Sequence, residues 1–306
     1  MADVIVIGGG HAGVEAALAC ARLQKETILY SMHIDMIASM PCNPSVGGPA
    51  KGIVVREIDA LGGEMGKAAD ATALQFKMLN TTKGPGVQCL RVQSDKLAYK
   101  AYMQKVLLAQ EHLEVREMCV EKVIAEDGVV KGVLQADGHM EECKALIMTT
   151  GTFMSSNILV GHTSTPSGPD GEPTTNYLSQ SLRDLGIRTF RLKTGTPARV
   201  LTSSIDFSKT EVQPGTDAFL CFSHETTNIR PFKEQALCYL TYTSPETHRI
   251  INENLERSAM YSGLVKGVGP RYCPSIEDKL VRFADKQRHQ IFLEPESESL
   301  DTTYVQ

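Results

Sequence analysis

The chain opens on DVIVIGGGHAGVEAALACARL, and this stretch constrains the fold more than any other. Residues 3–7 form a short unbroken apolar run, the pattern of a strand buried on both faces of a parallel sheet. Gly8, Gly9, Gly10, His11, Ala12 and Gly13 follow at once and lead into a helix-forming segment. Its small residues Ala12, Ala16 and Ala19 suit close packing on a sheet. Residues 27–30 (TILY) read as a second strand, so the start is a βαβ unit with G-x-G-x-x-G in the turn where it belongs. There Gly8 allows a tight turn, Gly10 lets backbone approach a pyrophosphate, and Gly13 lets helix meet strand. The anion would rest on the helix N-terminus, where free N–H groups and the dipole favour it. One expected part is missing. The second strand ends at Tyr30 and Ser31 instead of an acid for the ribose hydroxyls, and Asp35 comes late.

The rest of the chain continues as an FAD-type dinucleotide domain would. A long loop leads to a helix ending at Gly62-Gly63, then a strand (TALQFKML), a turn-rich loop (NTTKGPGVQ), and a helix to about Gln110 with Ser94 as N-cap. Between 113 and 142 the pattern shifts to short β segments separated by EDG and ADG turns, followed by a buried strand, KALIMTTGTF, that runs to Gly151. The expected fold is α/β: a Rossmann-like FAD-binding domain of the glutathione-reductase type with a β-meander, plus an inserted α+β nucleotide-binding domain. The first part of the FAD domain would span 1–160 and the insertion 161–283, with 284–306 returning toward the first domain. In the insertion, LSQSLRDLG reads as a helix closed by Gly186, and RTFRLKTGTPARV, FLCFS and CYLTYTS read as β segments. PETHRIINENLE reads as a helix with Pro245 in its first position, while SESLDTTYVQ shows no closing element.

Composition narrows the class. A net charge of -5 argues against a dedicated nucleic-acid module, though not against local basic patches. No apolar run is long enough to span a bilayer, and no signal peptide is evident, so a cytoplasmic protein is expected. The eight cysteines form no C-x-x-C pair, which argues against a zinc knuckle, a thioredoxin-like pair or any metal centre and favours reduced thiols. Cys20, Cys119, Cys143, Cys221 and Cys238 lie in helix or strand patterns and read as core.

Three further stretches carry possible chemistry. In MPCNPSVGGPAKG (40–52), the order of Gly and Lys is not a Walker A motif. Cys42 is either a buried structural thiol or a nucleophile; Pro41, Asn43 and Pro44 disfavour burial in an element, and Lys51 would lower the thiol pKa if the loop folds back. In KGPGVQCLRVQSDK (83–96), Lys83, Arg91 and Lys96 are either a solvated loop or phosphate contacts. In GVGPRYCPSIEDKLVRF (267–283), Ser275 and Asp278 resemble a capping box, and Arg271 and Tyr272 suit a phosphate or nucleotide ring.

IGGGHAGVEAA, PCNPSVGGPAKG, EIDALGGEMGKA, LNTTKGPGVQ, RLKTGTPAR and GVGPRYCPSIEDK with RFADK and HQIFLEPE together resemble the GidA/MnmG family of FAD-dependent transfer-RNA wobble-uridine modification enzymes. The resemblance runs through nearly the whole chain. It implies FAD on Gly8–Gly13 with contacts near Val120 and Thr175, and NADH as reductant, its nucleotide associated with Gly269, Pro270, Arg271, Tyr272, Glu277, Arg282 and Phe283. It further implies that, with a GTPase partner (MnmE) in a heterotetramer, a carboxymethylaminomethyl or aminomethyl group is placed on the wobble uridine of tRNA, with methylene-tetrahydrofolate as carbon donor. The family's two functional cysteines match Cys42 and Cys273, with Asp278 a candidate base and Lys279 beside it. Gly47 and Gly48 would let backbone approach the flavin while Cys42 faces the uridine, with Lys51 holding a thiolate or phosphate. Family members run about twice as far, homodimerise, and carry a C-terminal helical region for tRNA and the GTPase, so this chain resembles an N-terminal fragment expected to hold FAD weakly. A generic NADH–flavin oxidoreductase, or a scaffold contacting RNA through 160–280, are the alternatives; the first expects a nearby cysteine pair, the second indifference to Cys42 and Cys273.

Overall fold

The computed structural model describes residues 1–168, 171–265, 267–269 and 274–306. Its first half runs β1 (Ala2–Ile7), α1 (His11–Arg22), β2 (Thr27–Ser31), β3 (Ser45–Gly47), α2 (Lys51–Ala60), α3 (Met65–Ala71), β4 (Ala73–Leu79), β5 (Cys89–Ser94), α4 (Lys96–Ala109) and β6 (Leu113–Glu117). A meander follows, β7 (Val120–Glu126), β8 (Val129–Gln135) and β9 (Met140–Met148), then the hairpin β10 (Asn157–Val160) and β11 (Thr163–Pro166), and α5 (Asn176–Asp184). The remainder is β12 (Arg199–Leu201), β13 (Glu211–Gln213), β14 (Cys238–Tyr242), α6 (Pro245–Glu253), α7 (Ile276–Arg282), β15 (Gln290–Pro295) and β16 (Thr302–Val305).

The main sheet has the order β6-β2-β1-β9-β8-β7. β6, β2, β1 and β9 are parallel, and β7 and β8 add an antiparallel edge. Strands covered on both faces are apolar where they are buried, which is why residues 4–7 of β1 form a continuous hydrophobic run while Asp3, at its start, pairs with Lys144. On one face α1 (Val14, Ala17, Leu18) and α4 (Tyr99, Met103, Leu107) form one core. On the other, Ile5, Ile7 and Tyr30 meet Val120, Val123 and Val133 of the meander and Leu178 and Leu182 of α5. Each large side chain so buried contributes roughly 1.5–3 kcal/mol.

A three-stranded antiparallel sheet, β3-β5-β4, carries the segment after Cys42, and a five-stranded antiparallel sheet has the order β12-β16-β15-β14-β13. The 284–306 segment supplies β15 and β16, which occupy the interior of the five-stranded sheet, and its Glu294 and Glu296 bond Arg91 and Lys96 of the first domain. In one respect the structure departs from expectation: β16 forms a strand in SESLDTTYVQ, where no closing element was expected. Thr302, Thr303, Tyr304 and Val305 are residues that suit a pleated surface. α5, placed by sequence in the insertion, packs on the meander.

FLCFS is not a strand. The amides of Phe222 and Ser223 donate instead to the Asp70 carboxylate at 2.8 Å each, so side-chain acceptors replace a sheet partner. Of RTFRLKTGTPARV only its last two residues, Arg199 and Val200, are strand, opening β12, because the Gly and Pro of KTGTP interrupt pairing. The cap of α4 is Asp95, not Ser94: Asp95 Oδ1 accepts the amides of Leu97 and Ala98 at 3.0 Å. The predicted caps elsewhere hold. Ser275 Oγ accepts the amide of Asp278 at 3.2 Å, and Pro245 follows the N-cap Ser244.

Candidate functional site

The turn between β1 and α1 is made by what its glycines lack. Gly8 has φ +105°, and a Cβ there would lie 2.4 Å from Thr149 O. A Cβ on Gly13 would lie 1.8 Å from Gly8 O, so only glycine permits the helix to sit this close to the strand. Gly9 is pressed by Ile37, whose Cγ1 would be 2.7 Å from an added Cβ. Gly10 is different: an added Cβ meets nothing within 4 Å. An open position at the N-cap of a twelve-residue helix, beside two closed ones, leaves space facing the first-turn N–H groups, which have no acceptor within the helix. This cradle fits the pyrophosphate of a dinucleotide.

His11, the first helical residue, adds no charge to that cradle. Its pKa is pushed down to about 4, first by burial and then by the charge of Lys51. Nε2 is buried without a hydrogen-bond partner among the described residues, and the ring lies 5.5 Å from that of Tyr99. Lys51, which opens α2, is thus a cation close enough to His11 to disfavour its charged form.

Other cofactor candidates fall along the same C-terminal edge of the parallel strands. The amide of Met118 donates to Ser31 O at 2.8 Å, and Val120, 3% exposed, begins β7 just beyond. From Thr149, which touches Gly8, the chain continues to Phe153, whose carbonyl accepts the amide of Thr175 at 3.1 Å. Thr175 is the N-cap of α5, and its Oγ1 is buried with no partner among the described residues. Sequence reasoning missed Glu117. It pairs in parallel register with Ser31, where the ribose acid is absent, and its carboxylate accepts the amide of Ile34 at 2.8 Å and lies 3.7 Å from His33 Nδ1. Only cross-strand register reveals it. Asp35 sits in a short turn after β2, not at the strand's end.

Cys42 is exposed, so it is not a buried structural thiol. Of the two glycines that follow, Gly47 serves packing, since a Cβ there would lie 2.2 Å from Leu90 O. Gly48, at φ +95° with open space around it, is the position where a ligand can approach backbone. Lys83 stands in an exposed loop, whereas Arg91 is committed to Glu294 and to Gln93 Oε1 at 3.1 Å. In α7, Glu277 accepts from Ser258 Oγ at 2.8 Å and Asp278 from Tyr261 Oη at 2.9 Å. Arg282 reaches Asp278 at 3.8 Å, Lys279 lies on the same helix, and Phe283 is its C-cap. Gly269 lies against Lys193. Pro270, Arg271, Tyr272 and Cys273 lie outside the described residues. Among the described residues no cluster of three or more His, Cys, Asp or Glu is placed to hold a metal, and no helix is long and apolar enough to cross a membrane.

The parallel sheet, the meander and the glycine turn on α1 define a Rossmann-like dinucleotide-binding protein of the FAD type. The chain belongs to the glucose inhibited division protein A family, whose pattern matches residues 3–306. It is 58% identical over 305 residues to the tRNA uridine 5-carboxymethylaminomethyl modification enzyme MnmG of Mycoplasma mycoides, and 56% identical over 304 residues to that of Bacillus subtilis. Each alignment covers 99% of this chain and 48% of the relative. The structure of Aquifex aeolicus GidA superposes with a TM-score of 0.93 at 52% identity, covering 99% of this chain and 51% of that one. The chain therefore spans about half the length of the curated relatives it matches.

Proposed function

We propose that this chain is the cofactor-binding half of a flavin-dependent enzyme that modifies the wobble uridine of tRNA at C5, adding a carboxymethylaminomethyl or aminomethyl group. The observation that supports the reading best is the pairing of an open backbone cradle at Gly10 with an exposed Cys42 in the loop that follows β2. Similarity to proteins named for the uridine modification supplies the substrate class. FAD would lie with its pyrophosphate on α1, and Gly8, Gly9, Gly10, His11, Ala12, Gly13, Val120 and Thr175 would contact it. A bound flavin supplies redox and one-carbon carrier chemistry that side chains lack.

The chain's own residues then have definable tasks. Uracil C5 is a poor nucleophile until a thiolate adds to C6, and exposed Cys42 is the described thiol suited to that addition. Lys51 supplies positive charge near the cradle. Asp278, at the start of α7, is the candidate base for the C5 proton, with Cys273 the second thiol. NADH as reductant, methylene-tetrahydrofolate as carbon donor, a GTPase partner and a homodimeric whole protein complete the proposal.

The test is nucleoside analysis of tRNA after incubation of the whole protein, its GTPase partner, methylene-tetrahydrofolate and NADH. Wild type should yield the modified uridine and Cys42→Ser should not. Full modification by both Cys42→Ser and Cys273→Ser would end the catalytic-cysteine reading.

A further inference from the structure

Three stretches far apart in sequence meet at the residues flanking Cys42: 40–52, the end of 191–199 (RLKTGTPAR) at Arg199, and the end of 289–296 (HQIFLEPE) at Glu294 and Glu296. Before the thiol, Arg199 Nη2 donates to Pro41 O at 2.7 Å, while Arg199 Nε is held by Glu296 Oε1 at 2.8 Å. After the thiol, Asn43 Nδ2 donates to Glu294 and, at 2.7 Å, to Gln306 Oε1; Asn43 Oδ1 accepts from Gln93 Nε2 at 2.9 Å. The side chains of Glu294 and Glu296 are 1% and 0% exposed.

Pro41 and Pro44 have no N–H to donate, so the backbone bonds beside Cys42 run only to carbonyls: Asn43 O accepts the amide of Ser45 and Pro44 O that of Ser94, each at 2.7 Å. The Pro41 carbonyl and the Asn43 side chain add the remaining contacts. Burying a carboxylate costs several kcal/mol unless its partners are well placed. Glu296 has Arg199 and Lys96, and these bonds outweigh burial and hold its carboxyl below the ordinary range. Glu294 has Arg91 and Asn43. Two such buried acids thus reach the two flanks of an exposed cysteine, Glu296 through Arg199 and Glu294 through Asn43.

We infer that Glu294 and Glu296 are positioning residues for Cys42. Glu296 orients Arg199, Arg199 fixes the peptide before the thiol, and Glu294 with Gln93 fixes the residue after it. The direction of Sγ is thereby set from the five-stranded sheet. The inference rests on the reading of Cys42 as the nucleophile toward uridine.

The test compares Arg199→Gln, Glu296→Gln and Asn43→Ala with Lys96→Met, which removes the Glu296 partner that does not touch the loop. In this chain, amide exchange of residues 40–46 should accelerate about tenfold in the first three and stay at the wild-type rate in Lys96→Met. In the whole protein, kcat for uridine modification should fall about tenfold or more with KM for tRNA unchanged, since small misplacements of a reacting group cost rate more than binding. Wild-type exchange or kcat in Arg199→Gln would overturn the inference, as would equal losses in Lys96→Met. If Cys42→Ser keeps full activity while Arg199→Gln still loosens the loop, the nucleophile reading fails and the positioning role goes with it. If Cys42→Ser is inactive but the loop stays tight, only the positioning role fails.

Discussion

The glycine turn at Gly8–Gly13 and the loop at Cys42 are close in the fold, since Gly9 accepts the amide of Ala38 just before that loop begins. They are built in opposite ways. The turn is made of backbone: its contacts are N–H groups, carbonyls and missing side chains. The loop is held by side chains from remote parts of the chain, 251 positions away in the case of Asn43 and Glu294. A backbone-made site tolerates no added atoms at its closed positions, here Gly8, Gly9 and Gly13, but has no charge to lose. A side-chain-held site accepts small steric changes and fails when one buried charge loses its partner.

The largest expected effect lies on the backbone side. Gly13→Ala forces a Cβ to 1.8 Å from Gly8 O and should cost ~4 kcal/mol or more, read by urea unfolding. A loss below ~1 kcal/mol would mean that the turn yields more easily than its contacts imply. Next, Glu296→Ala leaves Arg199 and Lys96 without their shared carboxylate and should cost ~2–3 kcal/mol in the same assay.

The two sites should also separate on the pH axis. His11 has a folded pKa of about 4 against an ordinary 6.5, so the unfolded state binds the proton first. Its contribution is intact above pH 6.5 and declines as pH falls toward about 4. Glu296 has a folded pKa below its ordinary 4.5, so its contribution is intact above 4.5 and is lost only as pH falls below that value. His11→Gln should flatten the stability profile in the upper window and Glu296→Gln in the lower one, as measured by thermal unfolding across pH. The smallest effect belongs to an exposed pair: Glu246→Gln, opposite Arg249, should leave the thermal unfolding curve unchanged.

The same contrast governs how much could be read from sequence. Local rules disclose the βαβ start, the meander, the end of α5, the starts of α6 and α7 and the candidate cradle, because strand, turn and helix lie within a few residues of each other. Asp95 displaced Ser94 as the α4 cap because Asp95 also binds Ser297 Oγ at 2.8 Å, a partner no local pattern reveals. FLCFS has the composition of a strand, yet a carboxylate on α3, Asp70, satisfies its Phe222 and Ser223 amides in place of a neighbouring strand. The interior place of β15 and β16 in the second sheet depends on pairings with β12 and β14 that only the folded chain displays. Arg91 read as a phosphate candidate from its neighbours in sequence, whereas its partner, Glu294, is 203 positions away.

The central claim is that an open backbone position, Gly10, makes the cradle for the cofactor's pyrophosphate. An FAD titration of Gly10→Ala and wild type by flavin fluorescence, with thermal unfolding of both proteins, tests it most directly. Because an added Cβ meets no protein atom within 4 Å, the melting temperature should not change, while FAD affinity should fall about tenfold or more as the methyl enters the anion's space. Equal affinity in the two proteins would place the pyrophosphate elsewhere and contradict the account.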